Sequence, residues 1–386
     1  MSLLVSVIGA GAMGSGIAQV AASNDSAVTI VDSSPQALEN SQSKLKSILN
    51  RLVEKRKINK EESQHIISNI NWSSEMNEIS NSNLVIEAIV ENMEIKQILF
   101  SQMESLVSDD CILATNTSSL SVAGIASVCN NPSRIMGIHF FNPAPLMKLV
   151  EVIPTNETDG DLLKEVKSIL EGWGKTVVTA KDTPGFIVNR VARPFYGEAL
   201  KIYEEGIADF ATVDWAMKKF GGFRMGPFEL MDYIGNDVNY SATKAVYDGT
   251  NHDPRYKPSA TQKKLMDEGL LGRKSGKGYF DYSENAVNPE PQKNEELGRK
   301  IFKRILAMLI NAAVDALNES IATRDDIDTA MKTGVNYPKG LLKWADEIGL
   351  NSQVAQLKEL HSKFEDDRYI ANPLLIKKVE ESGTFY

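Results

Sequence analysis

His139 and Glu151 stand twelve residues apart in "HFFNPAPLMKLVE", the first at the end of one apolar run and the second inside another. A glutamate in an apolar strand is costly unless a charged or hydrogen-bonding partner satisfies it, and an imidazole within reach is such a partner. A carboxylate fixes the tautomer of an imidazole and strengthens it as a proton acceptor, which suits removal of an alcohol proton as hydride departs. The Asn142-Pro143-Ala144-Pro145 turn between them can fold one run back on the other. His65 and His361 lie in charged amphipathic stretches and His252 in a polar loop, so all three read as solvated.

A second constellation opens the chain. Gly9-Ala-Gly11-Ala12-Met13-Gly14 follows the apolar run "LLVSVI" and precedes a helical pattern. In that setting Gly9 serves a tight turn, Gly11 lets a pyrophosphate approach backbone N–H groups, and Gly14 allows close helix–strand packing. Asp32 closes the next strand 18 residues after Gly14, where a carboxylate can bind both hydroxyls of an adenosine ribose. The same carboxylate disfavours a 2′-phosphate by about 4 kcal/mol per unit charge at ~4 Å and an effective dielectric near 20, an illustrative figure. Ser33 and Ser34 supply no arginine to offset it, so NAD is expected rather than NADP.

The elements that must position these residues follow from periodicity. "LLVSVI", "AVTIVDSS", "NLVIEAIV", "CILATNTSS", "RIMGIHFF", "KLVEVIPT" and "TVVTAKDT" read as strands, with helical segments between most of them. The alternation predicts an α/β doubly wound sheet, interrupted by a two-helix excursion from Pro35 to beyond Lys60. At Thr183-Pro184 the pattern turns helical, with Thr183 as a capping residue and Pro184 as the first helical position, and stays so to Tyr386. A shift of 114 residues lays "GIADFATVDWAMK" (from Gly206) over "SIATRDDIDTAMK" (from Ser320), and Gly226, Asp232, Ile234 and Gly235 over Gly340, Asp346, Ile348 and Gly349. The expected organisation is therefore a dinucleotide-binding domain over 1–183, a helical domain over 184–283, a linker over 284–296 and a second, degenerate helical copy over 297–386.

Composition bounds the rest. The 386 residues carry 42% hydrophobic and 24% charged side chains and a formal charge of -9, which argues against a general nucleic-acid binder. Cys111 and Cys129 lack metal-ligand spacing and read as thiols of a reducing compartment, with no metal implied. No apolar run reaches the ~20 residues of a membrane helix and no leader pattern opens the chain, which predicts a cytoplasmic protein.

Taken together, Gly9 to Gly14, Asp32, "EAIVEN" (from Glu87), "NTSSL" (from Asn116), "HFFNPAPLMKLVEVI" and "DTPGFIVNR" (from Asp182) resemble the 3-hydroxyacyl-CoA dehydrogenase family. The likeness runs continuously to about residue 283, and the second helical copy repeats that family's C-terminal domain, of the 6-phosphogluconate-dehydrogenase C-terminal-like type. The resemblance implies His139 as general base, Glu151 as its partner, and Ser118 and Asn189 as groups holding the substrate oxygens. It implies Ala12, Met13, Glu87 and Asn116 among the NAD-binding residues, and oxidation of an (S)-3-hydroxyacyl-CoA to the 3-ketoacyl-CoA. For coenzyme A it points to the basic excursion, with Lys55, Arg56 and Lys57 foremost. Lys303 stands opposite Asn189, which leaves one catalytic centre per chain. Single-copy members resemble dimers paired through the helical domain, so the tandem copy predicts an internal pseudo-dimer that leaves the protein a monomer, or an oligomer through other surfaces. Two other readings stay open: a dehydrogenase of a free hydroxy or sugar acid, as in gulonate dehydrogenase-like relatives, and a non-catalytic NAD-binding structural protein.

Overall fold

Strands β1 (Leu4–Ile8), β2 (Ala27–Val31), β3 (Ile70–Ser73), β4 (Leu84–Glu87), β5 (Ile112–Thr115), β6 (Ile135–Phe140), β7 (Leu149–Pro154) and β8 (Thr176–Thr179) make one sheet in the order β3-β2-β1-β4-β5-β6-β7-β8. The computed structural model describes residues 2–386, and the chain divides into two compact units, Met1–Asp182 and Thr183–Tyr386. Every pairing in the sheet is parallel except β6 with β7. Burial on both faces explains the near-continuous Val/Ile/Leu runs. On β4, Leu84 and Ile86 join one apolar layer, with Ile17 and Val150, while Val85 joins the other, with Phe100 and Ile125. The strand order reverses direction between β1 and β4, the crevice where open α/β sheets take ligands. β3 was not among the expected strands: "INWS" lacks an apolar alternation and is held as an edge by its pairing with β2.

The helices of this unit begin where their caps dictate. Ser34 accepts from Ala37 N–H at the head of Pro35–Glu54. Asn59 and Glu62 form a reciprocal capping box on Lys60–Ser68, satisfying two otherwise orphaned N–H groups. Asn92 caps Met93–Leu106 by accepting from Ile95 N–H (3.0 Å).

In the second unit the expected helix from Pro184 does not form. Residues 184–187 are a turn, and helix starts only at Val188–Val191, resuming at Arg193–Glu204. The cause is local: Gly185 (φ 79°) and Phe186 (φ 46°) are both left-handed, and a Cβ at Gly185 would sit 2.7 Å from Val246. The linker also ends earlier than expected, because Asn294 caps the long helix Glu295–Asn318.

Several positions 114 residues apart make matching contacts. Asp214 accepts from Phe228 N–H (2.9 Å) and Glu229 N–H (2.8 Å), and Asp328 accepts from Leu342 N–H (2.9 Å) and Lys343 N–H (3.0 Å). A Cβ on Gly226 or Gly340 would collide with those same carboxylates, at 2.3 Å in each case, so both glycines are required by close approach. Arg190 pairs with Glu319 and Arg304 with Glu205, each at 2.7 Å. Arg304 and Glu319 are the positions 114 residues beyond Arg190 and Glu205, so the pairs are exchanged between the two halves of the unit. Phe223 and Tyr337, also 114 apart, meet edge-on with ring centroids 5.0 Å apart. Among the described residues no helix is long and apolar enough to cross a membrane.

Candidate active site

His139 lies on β6 and Glu151 on β7, and the antiparallel register sets them directly opposite one another. Residues 141–148 supply the reversal, with a cis bond at Asn142-Pro143. Directly opposed side chains in an antiparallel pair share one face at close range. Here His139 Nδ1 is 2.7 Å from Glu151 Oε2, with the histidine 5% exposed and the glutamate fully buried. The Phe141 ring packs on the imidazole at 4.5 Å between centroids. With a buried carboxylate held on Nδ1, proton exchange by this ring falls to Nε2.

Asn116 and Ser118 follow β5, the neighbour of β6. The Asn116 side-chain oxygen accepts from Phe140 N–H (2.8 Å) and so ties the loop to the residue after the histidine. Ser118 is half-buried, and its N–H donates to Glu91 (3.1 Å). Glu91 also accepts from Thr117 Oγ1 (2.6 Å) and Ser119 Oγ (2.9 Å), and Lys96 lies 3.4 Å away. Burial pushes the Glu91 carboxyl up, but the hydrogen bond from Thr117, the charge of Lys96 and the bonds from Ser119 and Ser118 outweigh it. The net effect holds the carboxyl below the ordinary carboxylate range.

Glu87, expected at the cofactor, is wholly buried, and its carboxylate accepts from Lys96 Nζ, Ile89 N–H (2.7 Å) and Thr115 Oγ1 (2.7 Å). With those donors engaged, its side chain anchors the loop after β4. Glu91 and Lys96 were missed by the sequence reading, although two glutamates four residues apart followed by a lysine in an apolar segment are an available signal.

The glycine turn fits a dinucleotide. Gly9 is left-handed (φ 108°), with Ala88 O 2.7 Å from its would-be Cβ, and a Cβ on Gly14 would lie 1.9 Å from Gly9 O. Gly11, by contrast, has nothing within 4 Å on that side, which leaves room for a phosphate at the head of helix Ala12–Ala22. That helix has no side-chain cap and no acidic residue in its first turn, so its N–H groups stay available. Ala12 is exposed and Met13 half-buried. Asp32 accepts from Ala10 N–H (2.8 Å) and Ser34 N–H (2.9 Å), which fixes a half-buried carboxylate just past β2.

Two further groups of predicted residues lie on other elements. Asn189 belongs to the second unit, half-buried on the Val188–Val191 turn. Lys55, Arg56 and Lys57 are exposed beyond the end of helix Pro35–Glu54, whereas a polar groove along that helix is lined by Ser43, Lys46, Ser47, Asn50, Arg51 and Glu54.

Comparison with known proteins agrees with this chemistry. The 3-hydroxyacyl-CoA dehydrogenase NAD-binding domain model matches residues 4–183, and the C-terminal domain model of the same family matches 185–282 and 301–384. A 3-hydroxyadipyl-CoA dehydrogenase of Escherichia coli is 33% identical, with 98% of each chain covered. A probable 3-hydroxybutyryl-CoA dehydrogenase of Bacillus subtilis is 41% identical over 72% of this chain and 97% of its own. The crystal structure of a 3-hydroxybutyryl-CoA dehydrogenase from Escherichia coli K12 superposes with a TM-score of 0.92 at 32% identity, covering 99% of each chain. A dinucleotide cradle at the strand crossover, a buried imidazole–carboxylate pair and full-length likeness thus converge, and the chain belongs to the 3-hydroxyacyl-CoA dehydrogenase family as an NAD-dependent enzyme.

Proposed function

We propose that the enzyme interconverts an (S)-3-hydroxyacyl-CoA and its 3-ketoacyl-CoA, with His139 exchanging the hydroxyl proton at Nε2 and Glu151 orienting and stabilising the imidazole. The single observation that carries this reading is the buried 2.7 Å contact between Nδ1 and Oε2, set by strand register. NAD supplies the hydride acceptor. Asp32 favours it over the phosphorylated cofactor. Ser118, on the loop after β5, is the hydroxyl proposed to hold the substrate oxygen, and Asn189 of the second unit is assigned the same task by the family resemblance alone. Free hydroxy acids are the competing substrates, and the polar groove with Lys46 and Arg51 favours a phosphate-bearing thioester instead. The Escherichia coli relative is named for 3-hydroxyadipyl-CoA, whose acyl chain ends in a second carboxylate, and the Bacillus subtilis relative for 3-hydroxybutyryl-CoA, which ends in a methyl. Both thioesters present the same reacting hydroxyl. The test is NADH oxidation with acetoacetyl-CoA against free acetoacetate, repeated for His139→Gln. Turnover of the thioester by the native enzyme and its loss in the variant are expected, and a preference for the free acid overturns the reading.

For the second unit, the proposal is a tandem duplication forming an internal pseudo-dimer. The matched carboxylate caps at Asp214 and Asp328 and the exchanged pairs Arg190–Glu319 and Arg304–Glu205 support it. Reciprocal contacts of that kind are what a two-fold interface produces. A monomer is expected, and a sedimentation result showing a dimer paired through Arg193–Glu204 or its neighbours would sink the idea.

A further inference from the structure

Asp182, the last residue of the first unit, is half-buried, and its carboxylate accepts from Ser121 Oγ (2.9 Å), Val122 N–H (3.0 Å) and Ala123 N–H (2.8 Å). These groups open the helix Val122–Ala126, which already has a cap of its own, since Ser121 Oγ accepts from Gly124 N–H (3.0 Å). Asp182 takes two further N–H groups that a helix start leaves orphaned, and bonds of that kind to a carboxylate are roughly twice as strong as those to a neutral acceptor. A helix of five residues is too short to hold its own place, so the carboxylate decides where it stands.

That place matters because residues 116–123 meet β6 at two points, one on either side of His139 in the strand. At the first, the Asn116 side-chain oxygen accepts from Phe140 N–H (2.8 Å). At the second, Val122 Cγ2 lies 3.0 Å from where a Cβ on Gly137 would stand, so the valine fills the space that the glycine leaves open. Gly137 and His139 are two residues apart on one strand and face the same side of the sheet, which puts the helix start on the side of the imidazole. Ser118 lies between the two points. Glu91 holds residues 117–119, through Thr117 Oγ1, Ser118 N–H and Ser119 Oγ, and Asp182 holds 121–123.

We propose that Asp182 is a positioning residue for the reaction: by fixing the second point of contact with β6, it sets where the Ser118 hydroxyl stands relative to His139. The inference rests on the reading that Ser118 holds the substrate oxygen and deepens it by naming the group that places that hydroxyl. Asp182 itself touches neither substrate nor cofactor in this account, and acts only through the serine.

The experiment is a double-mutant cycle read in kcat/KM for NADH oxidation with acetoacetyl-CoA. Asp182→Asn keeps the volume of the side chain, but its single oxygen cannot serve all three donors and its amide N–H groups meet others head-on. A hydroxyl displaced by about 1 Å should lower kcat/KM by about 10- to 100-fold. In a Ser118→Ala background no hydroxyl is left to displace, so the same substitution should cost less than about threefold. That contrast separates positioning from stability, because a loss of folded enzyme lowers both backgrounds alike. Ser121→Ala removes only one of the three donors and should give a smaller loss with the same dependence on Ser118, which keeps the comparison open if Asp182→Asn does not fold. An equal loss in both backgrounds, or no loss in either, overturns the role of Asp182 while leaving that of Ser118 intact. A Ser118→Ala enzyme as active as the native one overturns the reading of the serine, and the inference with it.

Discussion

Glu151→Gln isolates the charge in the proposed proton-transfer pair. The amide can still accept from Nδ1 at the place where Oε2 now lies 2.7 Å away, so tautomer and ring orientation survive and the negative charge alone is lost. When the hydroxyl proton reaches Nε2, the imidazolium gains an attraction to the carboxylate whose upper bound is about 4 kcal/mol, for charge centres ~4 Å apart at an effective dielectric near 20. With the proton about half transferred in the transition state, about 2 kcal/mol of that is realised, which corresponds to roughly 30-fold in kcat. Because the interaction grows only as charge develops, KM for the thioester should hardly change. Steady-state NADH oxidation with acetoacetyl-CoA measures both parameters, with the thermal unfolding midpoint as a check that the buried amide is tolerated. A folded variant whose kcat stays within about threefold of the native enzyme, or one in which KM alone rises, would refute the argument.

Removing Lys96, 1% exposed and set against the fully buried Glu87, leaves an uncompensated carboxylate. Lys96→Met should therefore cost about 3–5 kcal/mol in urea unfolding, with most of it recovered by adding Glu87→Leu; equal losses in the single and double variants would show that the pair is not what matters. Burial pushes the thiol of Cys111 up to about 12, and burial with the nearby charge of Glu104 pushes Cys129 up to about 11. Both should resist an aromatic disulfide reagent near pH 8 until the chain is unfolded. The sign of the linked stability follows: a raised thiol pKa favours the protonated fold, so that contribution is complete below the unfolded value of about 8.5 and is lost as pH rises towards the folded values. Fast labelling of the native protein would contradict the burial of these groups.

Legibility in the sequence tracked the range of the contacts. The glycine turn is a local conformational demand, and Asp32 lies at a fixed remove from it, so both could be read directly. The facing of His139 and Glu151 was legible because one hairpin joins them, and strand register turns a spacing into a contact. The helix expected at Pro184 failed because two left-handed residues in sequence, Gly185 and Phe186, outweigh a favourable cap and proline. Lys96 escaped notice because its partners are Glu87 at the end of β4 and Glu91 on the loop that follows, and a lysine in a helix reads as a solvated face. Arg190 and Arg304 each find a carboxylate about a hundred residues away, in the other half of the unit, and only a comparison of the two copies exposes the exchange.

On the proposed duplication, the exchanged ion pairs bear on why a second copy without the asparagine would persist. Its counterpart is Lys303, so the copy gains nothing at the reacting atoms. What it keeps is Arg304 for Glu205 and Glu319 for Arg190, together with the ring of Tyr337 against Phe223. Arg190 and Arg304 are thus each neutralised by carboxylates of the other copy, and deleting either copy would strand charges of the one that remains. In a dimer of separate chains that neutralisation weakens with dilution, because the folded subunit and its partner are linked by mass action. Joined in one chain, the same contacts meet at an effective concentration set by the connecting segment. On the proposed duplication, the second copy therefore acts on catalysis through the first: it holds fixed the helices on either side of Asn189, at any protein concentration.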